Sequence, residues 1–153
     1  MKIRFLKLSA FTVVVIAALS LGLFFSCEEK DGNNGKTNNP LKNTEWKLIE
    51  FVDVANNTTK IPEPSDSICY RLEFVNDMLL RGYSSTNDLN GHYIIYSNDS
   101  IKLNIGQMTF INEVFEGDLF VESLNLISSY IISDNNLKLY YNNNQNYLKF
   151  ERR

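Results

Sequence analysis

His92, Cys69, Glu113 and Glu116 are the side chains through which this sequence would do nucleophilic, metal or proton-transfer chemistry. His92 is the single histidine among 153 residues. A catalytic zinc usually takes three protein ligands rich in histidine, so His92 lacks company and reads as an ordinary strand histidine. Cys69 and His92 would make a nucleophile and its base only if they met on one side of a sheet. No orienting third residue and no oxyanion loop is recognisable for them. Glu113 and Glu116 lie one helical turn apart, the spacing of an acid–base pair, but acids at a helix N-terminus explain them without chemistry. Asn87-Asp88-Leu89-Asn90-Gly91 offers oxygen ligands but lacks the glutamate that completes an EF-hand loop. It reads instead as a turn with glycine at a positive φ. No glycine-rich phosphate loop is present. The expectation is a protein with no catalytic residue, no metal and no cofactor.

Tyrosine is the other chemically informative residue type, with eight in the chain. At strand positions tyrosines mostly pack, with the hydroxyl reaching the surface. Gathered on one exposed face they would instead form a patch for a glycan or a protein.

These residues must be positioned by strands. Hydrophobic residues make up 44% and charged residues 22%, the balance of a globular protein. The apolar pattern from Leu41 onward is mostly period two. Residues 45–52 read as a first strand, and Ile68, Tyr70, Leu72 and Phe74 as a half-buried one. Residues 78–83, 91–96 and 101–105 follow as three more. Tyr130-Ile131-Ile132, residues 137–141 and residues 147–150 end the chain as short strands separated by asparagine-rich turns. Between Glu113 and Ser128 the spacing changes to three and four, through Phe115, Leu119, Phe120, Leu124 and Ile127. That predicts one amphipathic helix over about 113–128, with these five residues inward. The fold expected is mainly β: a small closed or nearly closed antiparallel barrel of about eight strands with one helix. Trp46, Phe51, Phe74, Phe115 and Phe120 would fill its interior.

The first 26 residues read as an address. Lys2, Arg4 and Lys7 precede 19 uncharged residues, Leu8 to Ser26, the charge step of a secretory signal. A stretch of about 20 apolar residues also spans a bilayer, so an uncleaved anchor stays open. The ending Leu23-Phe24-Phe25-Ser26-Cys27 resembles the lipobox of bacterial lipoproteins, with Cys27 the residue to be acylated. Phe24 stands where leucine is usual. Cleavage there leaves 12 Lys and Arg against 18 Asp and Glu. So acidic a body does not adhere to anionic lipid or nucleic acid, and attachment to the membrane depends on acyl chains. Cys69 is then the one free thiol, and no internal disulfide forms. Residues 27–40, rich in Asn, Gly and Lys, read as a flexible tether, and residues 41–153 as the folded domain.

Leu41-Lys42-Asn43-Thr44-Glu45-Trp46-Lys47-Leu48 resembles the opening L-x-x-T-x-W-x-L of META domains, the group that includes HslJ-type envelope proteins. Gly82, Asn87, Gly91 and Tyr93 stand in the places of that family's central glycine, Cys-Asn and Gly-x-Tyr motifs, with Thr86 in place of the cysteine. Met108-Thr109, a helix carrying Glu and Phe, and the ending Tyr130-Ile131-Ile132, Leu137-Lys138-Leu139, Leu148-Lys149-Phe150 continue the likeness. The resemblance implies a compact barrel with a helix, no established enzymatic activity, and structural roles for Trp46, Gly82, Asn87, Gly91 and Tyr93. Asp66-Ser67-Ile68 and Asp99-Ser100-Ile101 resemble O-glycosylation sites of exported Bacteroidetes proteins, at Ser67 and Ser100. Both also read as turns entering strands.

The expectation for function is an outer-membrane lipoprotein, on the cell surface or the periplasmic face, that binds a protein or glycan or supports the envelope. A lipocalin-like carrier of a small apolar ligand is the alternative. Glu28-Glu29-Lys30-Asp31 resembles the acidic export signal of many Bacteroidetes lipoproteins, and reads otherwise as a hydrophilic spacer. If it is an export signal, protease added to intact cells removes the domain, and replacing Glu28, Glu29 and Asp31 with alanine protects it. Resistance of the unmodified protein would place it on the periplasmic face.

Overall fold

The computed structural model describes residues 39–66, 68–97, 99–107 and 109–153. The signal segment, Cys27, the acidic tetrad, Ser67 and Met108 lie outside the described residues. The elements are β1 (Thr44–Asp53), β2 (Thr58–Lys60), β3 (Arg71–Phe74), β4 (Leu79–Tyr83), β5 (Asp88–Ile95) and β6 (Ile101–Gln107). They continue with α1 (Gly117–Asn125), β7 (Ser129–Ser133), β8 (Asn136–Tyr141) and β9 (Asn146–Arg152).

All strands join one antiparallel sheet in the order β6-β5-β4-β3-β1-β9-β8-β7, with β2 paired to the second half of β1. The last strand therefore returns beside the first, from Trp46 opposite Arg152 to Asp53 opposite Asn146, with a register shift between Leu48 and Glu50. Such a shift adds twist and helps a sheet curl. The two ends of the strand order then meet. Ser100 bridges Ser129, the Ile101 amide donates to Ser128 O at 3.2 Å, and the Tyr130 amide donates to Asp99 O at 2.8 Å. Further along β6 a side chain replaces the missing strand. Ile105 N donates to Asn125 Oδ1 at 3.0 Å, and Asn125 Nδ2 donates to Ile105 O at 3.2 Å. The result is a nearly closed barrel whose seam is completed by α1, which leaves less edge open to other chains.

Period-two alternation fills the inside. Trp46, Leu48, Leu72, Phe74, Leu80, Tyr93, Leu103, Leu137, Leu139, Leu148 and Phe150 are buried, with Phe120 and Leu124 of α1 over one end. Phe74 meets Tyr93 edge-on at 4.9 Å between ring centroids, and Tyr70 meets Phe120 likewise at 5.5 Å. Edge-on rings set the positive rim of one against the negative face of the other. Trp46 donates its indole N–H to Thr44 Oγ1 at 2.7 Å, so even the largest core side chain has its polar atom paired.

Three sequence expectations are corrected. The helix is Gly117–Asn125 rather than 113–128, and Phe115 and Leu119 face solvent. Phe115 has φ 50, which breaks the helical turn, because residues 113–117 wrap around the Glu113 carboxylate. The strand expected from Ile68 starts only at Arg71. The Asp66 carboxylate accepts from the amides of Ile68 and Cys69 at 2.9 and 3.0 Å, making a turn that leaves Ile68 outside the core. Residues 88–91 are not a turn but the start of β5, and no described glycine has a positive φ.

Gly91 is required by close approach instead. A Cβ there would lie 2.2 Å from Asn104 O of the adjoining strand, and at Gly82 it would lie 2.4 Å from Arg71 O. These are backbone atoms of paired strands, which cannot swing aside as a flexible side chain does. Gly91→Ala is expected to destabilise the fold by about 1–3 kcal/mol, the usual cost of overpacking. Thermal melting of the variant beside the parent checks this, and an unchanged melting temperature would contradict it.

Candidate functional site

Asn87 and Glu113 organise the densest polar cluster of the barrel. Asn87 stands just before β5 and is fully buried. Its Oδ1 accepts from the Ile111 amide and from Thr109 Oγ1, both at 2.9 Å. Its Nδ2 donates to Ile111 O at 2.7 Å and to Glu113 Oε1 at 2.8 Å. The carboxamide thus copies one rung of a β-ladder and pins the chain that leaves β6. Glu113 accepts in return from Ser84, Ser85 (2.6 Å), Thr86 (3.1 Å) and Asn87, four consecutive residues of the β4–β5 connection. Gly117 lets this happen, because a Cβ there would lie 2.2 Å from Glu113 Oε2 and 2.3 Å from Ser85 Oγ.

Burial alone would push the Glu113 carboxyl upward, but the bonds from Ser84, Ser85, Asn87 and Thr86 outweigh it and hold it below its ordinary value. Glu116 behaves alike. Burial acts upward, while its ion pair with Lys60 at 2.6 Å and the Glu63 amide at 2.9 Å bring it down. The two glutamates therefore face different partners and do not form an acid–base pair. Among the described residues no buried side-chain nitrogen or oxygen lacks a hydrogen bond. A cluster this fully satisfied works as a brace.

Other candidate residues are scattered. His92 is exposed on β5, opposite Leu79 and Asn104. Cys69 lies against Ser85, beyond the opposite end of β4, so the two make no pair. Its thiol is buried and contacts Ser85 O and Asp66, and burial followed by the nearby Asp66 raises its pKa, which leaves it poorly nucleophilic. Among the described residues no group of three His, Cys, Asp or Glu could hold a metal. Trp46 and Tyr93 are core residues, and Tyr93 OH contacts Asn76 O while receiving Asn39 Nδ2 at 2.8 Å. Ser100 sits at the seam.

The tyrosines divide. Tyr70, Tyr93, Tyr130 and Tyr141 are buried, whereas Tyr140 and Tyr147 are half-buried on the outside of the sheet. Thr59, Val52, Tyr147, Tyr140 and Ser129 oppose one another across β2, β1, β9, β8 and β7. The Tyr140 and Tyr147 rings lie 5.1 Å apart, tilted by 47°. Beside them a groove of about 360 Å³ runs between the β1–β2 turn and the β8–β9 turn. Sequence reading found the β8–β9 hairpin through Asn142-Asn143-Asn144 but missed the facing wall. Its one signal was the β-branched pair Thr58-Thr59. A second feature of the surface is the outer side of the braced segment, where Phe110 is 91% and Phe115 66% exposed.

The class defined by this architecture is a small, curled antiparallel barrel with a helix completing its seam. No family model matches the chain. It is 29% identical over 113 residues to a candidate lipoprotein of Tannerella forsythia, covering 72% of this chain and 74% of that protein. Two solved structures share the fold. One is an NMR structure of a protein from Burkholderia xenovorans, with TM-score 0.59, 17% identity and coverage of 74% of this chain and 83% of that one. The other is a crystal structure of a DUF4847 family protein from Bacteroides vulgatus, with TM-score 0.58, 13% identity and coverage of 73% and 94%.

Because the folded pKa of Glu113 is depressed, its ionisation stabilises the fold above the unfolded pKa, and that contribution is lost as pH falls towards the folded value. Glu113→Gln places an amide among four donors. It is expected to lower stability at neutral pH by about 1–3 kcal/mol. It should also flatten the acid limb below about pH 4, leaving the parts due to Glu116, Asp53 and Asp66. Denaturant titrations across that range test both, and an unaltered acid limb would contradict the assignment.

Proposed function

We propose that this protein is an envelope lipoprotein, held in the outer membrane by acyl chains on Cys27, whose META-like barrel acts by binding rather than by catalysis. The observation that carries the reading is the lipobox-like ending at Cys27, together with the likeness over 113 residues to a candidate lipoprotein. Support for binding comes from the barrel. Its densest polar cluster is internally satisfied, and its side chains with open hydrogen-bonding capacity lie on outer surfaces. A filled interior favours this reading over a lipocalin-like carrier, since Trp46, Tyr70, Phe74, Tyr93, Phe120 and Phe150 occupy the space a carried ligand would need.

The anchor is tested by metabolic labelling with palmitate. The wild-type chain is expected to take up label and to be processed before Cys27, whereas Cys27→Ala takes up none and remains precursor. Undiminished labelling of the variant would overturn the lipoprotein reading.

A further inference from the structure

We propose that the groove between the β1–β2 and β8–β9 turns is a binding site for a neutral saccharide. The assignment deepens the binding reading above and is independent of the lipid anchor.

Its floor is the tyrosine pair. Tyr140 and Tyr147 lie side by side on a sheet that fixes their backbone from both sides. Aromatic faces carry negative charge density, and the carbon-bound hydrogens on one face of a pyranose ring are weakly positive, so the two stack. The walls supply the polar half of the match. Asn57, Thr58, Thr59 and Asn144 line the groove and are exposed. Asn144 Oδ1 accepts from Ser129 at 2.9 Å, which leaves its NH2 group to donate. The hydroxyls of Thr58, Thr59, Tyr140 and Tyr147 and the carboxamide of Asn57 make no hydrogen bond to other described residues. An apolar ring platform edged by amides and hydroxyls matches the alternation of C–H face and O–H rim on a sugar. A volume of about 360 Å³ is at the small end of ligand sites, suited to one or two sugar rings and too small for a folded partner.

The site is also held ready. Val54 N donates to Gln145 O at 2.8 Å, so the two turns that form the walls are bonded to each other. The Asp53 carboxylate accepts from Asn56 N and Nδ2 at 3.0 and 2.8 Å and fixes the first turn. Asn57, Asn142, Asn143 and Asn144 all sit at left-handed φ, between 50° and 63°, a conformation asparagine tolerates better than most residues. Ordering the walls in advance lowers the entropy lost on binding. Charge points to a neutral ligand. Asp53 is the charged side chain on the wall, and the nearby Lys138 lies 5.0 Å from the Tyr147 ring centroid, its charge partly satisfied by that ring.

The test uses the full-length protein in a polyoxyethylene detergent, because a glucoside or maltoside would compete. The probes are arrayed neutral and acidic oligosaccharides with defined terminal sugars, followed by calorimetry with those retained. Binding to a subset of neutral saccharides is expected, weakened at least about tenfold by Tyr147→Ala or Tyr140→Ala. Asn57→Gly with Asn144→Gly keeps the left-handed turns while removing both carboxamides. It should weaken binding while lowering the melting temperature by no more than the loss of the single exposed Ser129–Asn144 bond, which Ser129→Ala measures separately, and so separates loss of contact from loss of fold. An array on which nothing binds, binding unaltered in all these variants, or a protein partner as the one ligand affected by them would each overturn the saccharide assignment. None of those outcomes bears on palmitate labelling of Cys27.

Discussion

A half-buried carboxylate keeps its charge only by gathering donors, and Glu113 does so by drawing in residues 84–87. Much of the upper barrel follows from it. The chain leaving β6 must turn back over the β4–β5 connection, so α1 cannot start before Gly117. That start sets the phase of the helix, which directs Phe120 and Leu124 into the barrel and Asn125 against β6. Asn125 then completes the seam where β7 falls away. One half-buried charge thus links a connection, a helix register and the closure of the sheet.

Strands were legible in the sequence because alternation is a local property. The reading fails where side-chain capture of the backbone, or close approach across the ladder, overrides alternation. Phe115 fits a helical stripe by spacing, but the carboxylate two residues before it bends the chain at φ 50 and turns the ring outward. Ile68 continues the stripe of Leu72 and Phe74, yet Asp66 captures its amide in a turn. Gly91 reads as a turn glycine from its polar neighbours, whereas the constraint is Asn104 across the ladder. The braced cluster was half visible. Asn87 and Thr109 stand out through the family likeness, whereas Glu113 reads as a helix-terminal acid. Its role depends on side-chain convergence across 26 to 29 positions of sequence, which no periodicity encodes.

The contrast between brace and groove bears on function. Polar groups in the brace have their bonds within the chain, so they define shape and offer a ligand little. Those in the groove are arranged by equally firm backbone bonds yet keep open valences towards solvent. Rigidity and unmet hydrogen-bonding capacity coincide there, the combination from which specific small-ligand sites are built.

The position of β1 has a mechanical consequence. Asn39 is fastened to Tyr93 at the end of the barrel where β1 begins, and the turn at 54–57 stands at the end where it finishes. A pull applied between those points acts along β1, parallel to the strand. Its hydrogen bonds to β3 and β9 lie across that line and are loaded together in shear, instead of being peeled apart one after another. A tensile load carried from the N-terminal side of the domain to its far end therefore meets the strongest geometry an antiparallel sheet can present.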